Sequence, residues 1–426
     1  MAKLRGCKVW RGILRLVWLG KFGMGAFLRF LFLLCAVATS AFGQGPQVKD
    51  GHPYIDDKSL LGNENGFRRW TYTIRPVAAP PPIASRGATT KEARVVEQAK
   101  FLLASREAKA IVLMDGPSVI YAGLKEPATE KTLFASASMG KTVTALAVGQ
   151  AICAGKIKLE DRAAALMPEL EGKALGNATV RDLLRMASGA AEANTGPTKG
   201  SGYIFTAQEE TDLRAGKFDI VHALSSDRLA SAAHGTFSDY KPGEQFAYKA
   251  TDPLTLGILL NRATGVSTAQ WMQRMVFDQA GLAESGRLNT LCAASAGVFC
   301  SDGKQAVKTD AGVFLHLNDW IRFAWWVKRA SKKSDCFGKF VNEAAHTQIS
   351  TAKPGTKWGK NSVRGYGYLI WTDNPIAPDT FWAEGWGGQR IGWNYKNDRM
   401  VISFSNHEIW IPELYALYRD WMNAAD

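Results

Sequence analysis

What most limits how this chain can fold is where its strand signals fall. Near the start, Ile111-Val112-Leu113-Met114, Asp115-Gly116 and Val119-Ile120-Tyr121 read as strand, turn and strand. Near the end, residues 389–395 and 399–405 flank the turn Lys396-Asn397-Asp398, and a last helix is expected over about 413–422. Between the two hairpins the patterns are mostly helical. A helix is expected over 138–153, closed by Gly155; another over 180–186, capped by Thr179; and a third over 253–263, with Asp252 as N-cap and Pro253 at the first helical position. One more, over 95–105, precedes the first hairpin. Strands at both ends with helices between them imply an antiparallel sheet assembled from the two halves of the chain. The expected class is α/β (α+β), with helices flanking the sheet and a helical lobe inserted between its N-terminal and C-terminal strands.

Net charge first suggests a nucleic-acid partner, because the 426 residues carry +13. Seven of the Lys and Arg residues, however, lie in residues 1–43, which contain no acid, and the remainder holds 45 basic against 39 acidic residues, a net +6. That is a mildly basic surface, and no nucleic-acid partner is expected. The leader runs from basic residues (Lys3 to Arg29) through an apolar stretch (Phe30 to Ala38) to the small residues around Ala41-Phe42-Gly43. This is the order of a secretory signal, so residues 1–43 are expected to be removed and the protein to be periplasmic or secreted. The apolar stretch is about half of the ~20 residues a membrane span needs, so membrane contact is expected only if the leader stays uncleaved. Residues 44–95, with Ala78-Ala79-Pro80-Pro81-Pro82 at their centre, read as an extended arm, and 96–426 as the main folded domain.

Outside the leader the chain holds Cys153, Cys292, Cys300 and Cys336. An even number in an oxidising compartment permits disulfides, Cys292 with Cys300 closing a short loop, while four free buried thiols are the alternative. No His or Cys spacing suggests a zinc site, and neither a metal nor an organic cofactor is expected.

Candidate chemistry begins with Ser-x-x-Lys, which occurs four times, at Ser138, Ser238, Ser301 and Ser350. The last three stand among Gly, Pro, Asp and Lys in expected loops. Ser138 alone opens an apolar helix, where an offset of three residues puts its hydroxyl and the Lys141 amine on one face, about 5–6 Å apart at Cβ. A serine hydroxyl is a weak nucleophile unless a neighbour takes its proton, and a lysine does so only from its neutral form. The plain alternative is a capping serine followed by a surface lysine. A phosphate loop is excluded, because the glycine required five positions before Gly140 is Ala135.

Context decides between these readings. Phe134-Ala-Ser-Ala-Ser138-Met-Gly-Lys141-Thr, Leu159-Glu-Asp-Arg, Thr179-Val-Arg-Asp-Leu-Leu-Arg-Met-Ala-Ser-Gly189, Pro242-Gly-Glu-Gln-Phe-Ala-Tyr248 and Leu256-Gly257 through Thr264-Gly265 follow one another in order. As a set they resemble the successive blocks of the class C β-lactamase-like serine hydrolases, a family that also holds esterases, D-amino-acid peptidases and 6-aminohexanoate-dimer hydrolases. The resemblance implies a β-lactamase/transpeptidase-like fold over roughly 96–426. It makes Ser138 the nucleophile, Lys141 its base and Tyr248 a partner in proton transfer.

The family's third motif, expected on a strand lining the site, is matched at Trp386-Gly387-Gly388. The N–H groups of Ser138 and Gln389 would then hold the oxyanion. Two departures bear on substrate. Ala250 stands where an asparagine or serine is usual, and Trp386 replaces the Lys or His that would clamp a carboxylate. Both point away from β-lactams and toward a small ester or short amide, Tyr-x-Ala-Thr-Asp with Gly-Gly-Gln resembling the aminohexanoate-dimer hydrolases. A D,D-peptidase, a β-lactamase and a catalytically silent cell-wall-binding protein are the alternatives. Of the fourteen tryptophans, most are expected in the core and some along an apolar cleft.

Overall fold

The two hairpins close on one another. In the computed structural model β3 (Ala108–Asp115) runs antiparallel to β13 (Arg399–Ser405), with Arg399 opposite Asp115 and Ser403 opposite Ile111. The structure describes residues 71–106, 108–173, 175–190, 207–214, 218–226, 241–291, 307–352, 363–405 and 411–424. The leader, residues 44–70, Cys292, Cys300, Ser238 and Ser301 lie outside them.

On one side of β3 stands β4 (Ser118–Leu124), the partner expected from the Asp115-Gly116 turn, and then the short β2 (Ala84–Ser85). On the far side of β13 follow β12 (Gln389–Asn394), β11 (Thr380–Gly385), β10 (Trp371–Thr372), β9 (Gly365–Tyr366) and β8 (Ile349–Ser350). Pairing in this nine-stranded sheet is antiparallel except between β2 and β4. A second sheet orders β1 (Thr71–Ile74), β6 (Gly286–Asn289), β7 (Val313–His316) and β5 (Leu133–Ala135). Residues 71–95, read from sequence as an arm, thus add a strand to each sheet.

Both faces of the large sheet are covered, which explains the unbroken apolar run 111–114. Val112 and Met114 enter the main core, while Ile111 and Leu113 face a second cluster. That second cluster is closed by α1 (Thr90–Ser105) and the last of the described helices, which spans Ile411–Asn423. Helix α1 starts five residues earlier than its apolar pattern, because Thr89 and Glu92 form a reciprocal capping box.

Glu92 does more than cap. Its fully buried carboxylate accepts from Arg86 (2.7 and 2.8 Å) and pairs with Arg399 of β13 at 2.8 Å, while the Arg399 guanidinium lies 4.2 Å above the Trp421 ring. The hydrogen bonds from Arg86, and then the other partners against the opposing effect of burial, hold this carboxyl down at about 2. A carboxyl with a depressed folded pKa stabilises the fold fully above its unfolded value near 4.5 and loses that contribution as pH falls toward 2. The expected contribution at neutral pH is about 3 kcal/mol. Urea midpoints of wild type and Glu92→Gln should therefore differ widely at pH 7, and the gap should shrink steadily as pH falls from about 4.5 toward 2. A gap independent of pH would contradict the assignment.

The main core surrounds α2 (Gly140–Cys153), whose residues 140–149 are all buried, as expected of a helix apolar on every side. Helix α3 (Val180–Leu184) packs on α4 (Thr251–Thr264), and α4 packs on α2. The far end of α2 is tied to the start of α6 (Cys336–Ala345), which follows α5 (Leu317–Ser331), by a Cys153–Cys336 disulfide with Cα atoms 5.7 Å apart. Of the two alternatives left open for these cysteines, disulfides or free thiols, the structure has the disulfide at this pair, across 183 residues. Adjacent spacing could not reveal it, because the bridge is made by helix packing.

Candidate active site

Ser138 is delivered by a short strand ending in a forced turn. Strand β5 is fixed against β7, with Ala135 opposite Phe314. Ser136 then donates its N–H to the Val313 carbonyl (2.7 Å), and its hydroxyl accepts from the Val313 N–H (3.1 Å). Ala137 follows with φ at 43°, a left-handed conformation that costs an alanine about 1 kcal/mol or more. Ser138 sits in the 3-10 turn Ala137–Met139, two residues ahead of α2, rather than inside the α-helix as its pattern suggested. The tight turn leaves Ser138 half-buried at the head of a buried helix.

Lys141, 3% exposed, lies beneath it. Its Nζ is 3.0 Å from Ser138 Oγ and donates to the Asp310 carbonyl at 2.9 Å. The Asp310 contact could not be read from sequence, since it uses a backbone atom 169 residues away. A signal for it did exist. Gly140 is the second x of Ser-x-x-Lys, and a Cβ there would lie 2.9 Å from the Ala311 Cα, so glycine is what lets residues 310–311 approach the helix. Thr144, one turn on from Lys141, holds the neighbouring Thr309 carbonyl at 2.7 Å. The Asp310 side chain faces Lys308, Nζ to Oδ2 3.3 Å.

Tyr248 reaches the same place from the segment preceding α4. Its ring centroid is 4.9 Å from Lys141 Nζ, so the phenol presents its face to the amine. The ring is 40% exposed and stacks on Trp371 at 5.3 Å, with Tyr366 edge-on at 6.3 Å and Phe246 at 6.5 Å. An aromatic wall thus borders Lys141. The next residues depart from expectation. Asp252 does not cap α4: the N-cap is Ala250, whose side chain is buried, and the Asp252 carboxylate turns inward. It accepts from the Ser188 hydroxyl at 2.6 Å and lies 3.6 Å from the buried Lys249 Nζ. Burial raises the Asp252 pKa against the opposing pull of Lys249. The Ser-Gly end of the block at 179–189 and the Tyr248 block are thereby fastened to each other.

The Trp-Gly-Gly segment needs correction as well. Trp386, Gly387 and Gly388 form the turn between β11 and β12 rather than a strand: Gly387 and Gly388 have φ of 83° and 92°, and the Gly388 N–H donates to the Gly385 carbonyl at 3.3 Å. The glycine pair serves the chain reversal. Close approach belongs instead to Gly385, at the end of β11, where an added Cβ would overlap the Ser136 carbonyl and sit 3.0 Å from the Ala137 Cβ. Gln389 pairs with Gly385 across the hairpin, and its side chain is buried, donating to the carbonyls of Ser405 (2.8 Å) and Trp386 (3.1 Å). The Trp386 side chain is 58% exposed, whereas Trp320, Trp382, Trp393 and Trp421 are wholly in the core. Of the other Ser-x-x-Lys sites, Ser350 ends strand β8, so the three-residue offset has no helix to act through.

The geometry gathers Ser138, Lys141, Tyr248 and the 385–389 hairpin where the two sheets and α2 meet. Among solved structures, the chain is similar to a protein assigned as a 6-aminohexanoate-dimer hydrolase from Bacillus anthracis, at 16% identity and a TM-score of 0.61, over 86% of this chain and 93% of that one. It is similar to a penicillin binding protein from Bacillus halodurans at 15% identity and a TM-score of 0.53, over 78% and 98% of the two chains. A protein assigned as a beta-lactamase from Bacteroides dorei matches at 18% identity and a TM-score of 0.55, over 74% and 90%. At these identities the likeness is one of fold. No curated protein matches the sequence. The Beta-lactamase family model matches residues 102–425, so the chain belongs to the beta-lactamase family of hydrolases and has its fold.

Proposed function

We propose that this protein is an acyl-transferring serine hydrolase acting on a small ester or short amide through a covalent intermediate on Ser138. The observation that carries the reading is the 3.0 Å contact between Lys141 Nζ and Ser138 Oγ, with the Asp310 carbonyl fixing the amine from the other side. In the reacting state a neutral Lys141 takes the Ser138 proton, and Oγ bonds to the substrate carbonyl carbon. The proton then passes by way of the Tyr248 hydroxyl to the leaving oxygen or nitrogen as the old bond breaks. Water repeats the sequence on the acyl-enzyme. The oxyanion is held by the Ser138 N–H and by an N–H of the 385–389 hairpin. The resemblance assigns that second donor to Gln389; the contact of Gly385 with the nucleophile turn favours the next peptide along β11, whose N–H is that of Trp386.

The aromatic wall and the exposed Trp386 favour a neutral, apolar acyl or leaving group. The name of the Bacillus anthracis relative makes a short linear amide a natural substrate to try. Export to the periplasm or medium is part of the proposal, supported by the leader and by a disulfide of a kind that persists in oxidising compartments.

The test is mass spectrometry after exposure to a fluorophosphonate, with turnover of p-nitrophenyl esters in the same samples. Labelling should map to Ser138, and Ser138→Ala should lose both label and turnover. An unlabelled, inactive wild type would instead support a silent cell-wall-binding protein, and stable acylation by penicillin a D,D-peptidase. Tyr248→Phe separates two roles of the ring: loss of a proton relay should lower kcat by about 10²-fold or more, whereas unchanged kcat would reduce Tyr248 to a packing partner of Lys141.

A further inference from the structure

Beneath the β11–β12 turn lies a buried ion pair that the proposed chemistry does not use. Arg390, almost wholly buried, sends Nη1 to two main-chain carbonyls, those of Gly385 and of Gln389 (3.0 Å to the latter). Its Nε is 3.6 Å from Glu384 Oε2, and the other oxygen of Glu384 accepts from the Tyr415 hydroxyl of the Ile411–Asn423 helix at 2.7 Å. Burial, followed by the nearby Glu384 carboxylate, pushes the Tyr415 phenol well up, so it remains a donor across the working pH range. The other peptide of the turn is also held from behind: Ser403 donates to the Gly388 carbonyl at 3.2 Å and in turn accepts from Tyr418 at 3.0 Å.

A peptide carbonyl and the N–H of the following residue belong to one rigid plane, so a group that grips the carbonyl sets where the N–H points. A charged donor also polarises that amide and strengthens its N–H as a donor on the opposite side. Burying a guanidinium with its carboxylate costs desolvation and contributes little net stability, so the placement calls for another explanation. Gly385 supplies it, being the residue pressed against the Ser136-Ala137 turn that carries Ser138.

We infer that Arg390, braced by Glu384 and Tyr415, is the positioning residue of the oxyanion-binding hairpin, orienting the Gly385–Trp386 peptide toward the carbonyl attacked by Ser138. The inference rests on the acyl-transfer reading. Its role is felt only when negative charge develops on the substrate oxygen, so it belongs to the transition state rather than to substrate binding.

The experiment measures kcat, KM and the affinity of an arylboronic acid, a tetrahedral-adduct probe, on the purified full chain and its variants. Arg390→Met should lower kcat/KM by about 10²-fold with KM within about threefold, and boronate affinity should fall by the same factor. Arg390→Lys should recover part of both losses. Should Arg390→Met fail to fold, Glu384→Gln and Tyr415→Phe carry the same test, each with a smaller parallel loss in kcat and boronate affinity. Folded variants with wild-type kcat and boronate affinity would overturn the inference, as would a loss in kcat with boronate affinity unmoved. Fluorophosphonate labelling of wild-type Ser138 in parallel separates the two failures: no label sinks the acyl-transfer reading and this inference with it, while a labelled wild type beside unaltered variants sinks the inference alone.

Discussion

Lys141→Arg should be as inactive as Lys141→Met, with kcat/KM reduced about 10³- to 10⁴-fold in both and fluorophosphonate labelling of Ser138 slowed in parallel. The comparison isolates the proton. Arginine keeps the positive charge but cannot be deprotonated in a protein, so it can serve as an electrostatic partner and never as a base. The site lets the two roles be told apart, because Lys141 makes one contact of each kind: Nζ faces Ser138 Oγ at 3.0 Å and the Asp310 carbonyl at 2.9 Å. Methionine fills similar volume but leaves that carbonyl without its donor, a structural cost of about 1–3 kcal/mol that thermal unfolding would report. Kinetics on the folded fraction then read chemistry alone. If Lys141→Arg retained turnover within about tenfold of wild type while Lys141→Met did not, the lysine would be an electrostatic anchor and the base would lie elsewhere.

How much of this was visible in the order of residues depends on the range of the contact. Patterns that act within one turn or one hairpin were legible: the Asp115-Gly116 turn, the Thr179 cap, the last helix and the Ser138–Lys141 offset all depend on residues a few positions apart. The closure of β3 on β13 was legible too, because a sheet made from both ends is the one way to pair strands that stand so far apart. What sequence could not show was main-chain and long-range. The Asp310 carbonyl leaves no side-chain signature, the Cys153–Cys336 bridge depends on how α2 meets α6, and two-residue strands such as β9 and β10 are too short to have a period. Asp252 misled for a physical reason. A carboxylate beside a proline at a helix start reads as a cap, but a buried lysine and serine offered it a stronger partnership inside. Trp-Gly-Gly misled in the same way: glycines signal both close approach and chain reversal, and only the register of Gly385 against Gln389 shows that the pair makes the reversal.

That register gives the second large expectation. Gly385→Ala should lower kcat by about 10²-fold or more, while Gly87→Ala leaves it unchanged. At Gly87 an added Cβ meets nothing within 4 Å. At Gly385 it would overlap the Ser136 carbonyl and crowd the Ala137 Cβ, and neither can give way cheaply. The Ser136 N–H and hydroxyl are both committed to Val313 of β7, and Ala137 already stands at a φ of 43°. Strand β11 is locked in turn by its ladder to β12, in register from Thr380 opposite Asn394 to Gly385 opposite Gln389. Relief must come from moving the hairpin away from Ser138 or Ser138 away from Lys141, and a displacement of even 1 Å at a reacting centre carries a penalty of about 10²-fold. Since the disturbance falls on geometry and not on substrate contacts, kcat should fall much further than KM rises. Steady-state kinetics beside thermal unfolding would check this. A variant with normal kcat and merely lowered melting temperature would show that the close approach of β11 to the nucleophile turn serves packing alone, and would return the search for the second oxyanion donor to Gln389.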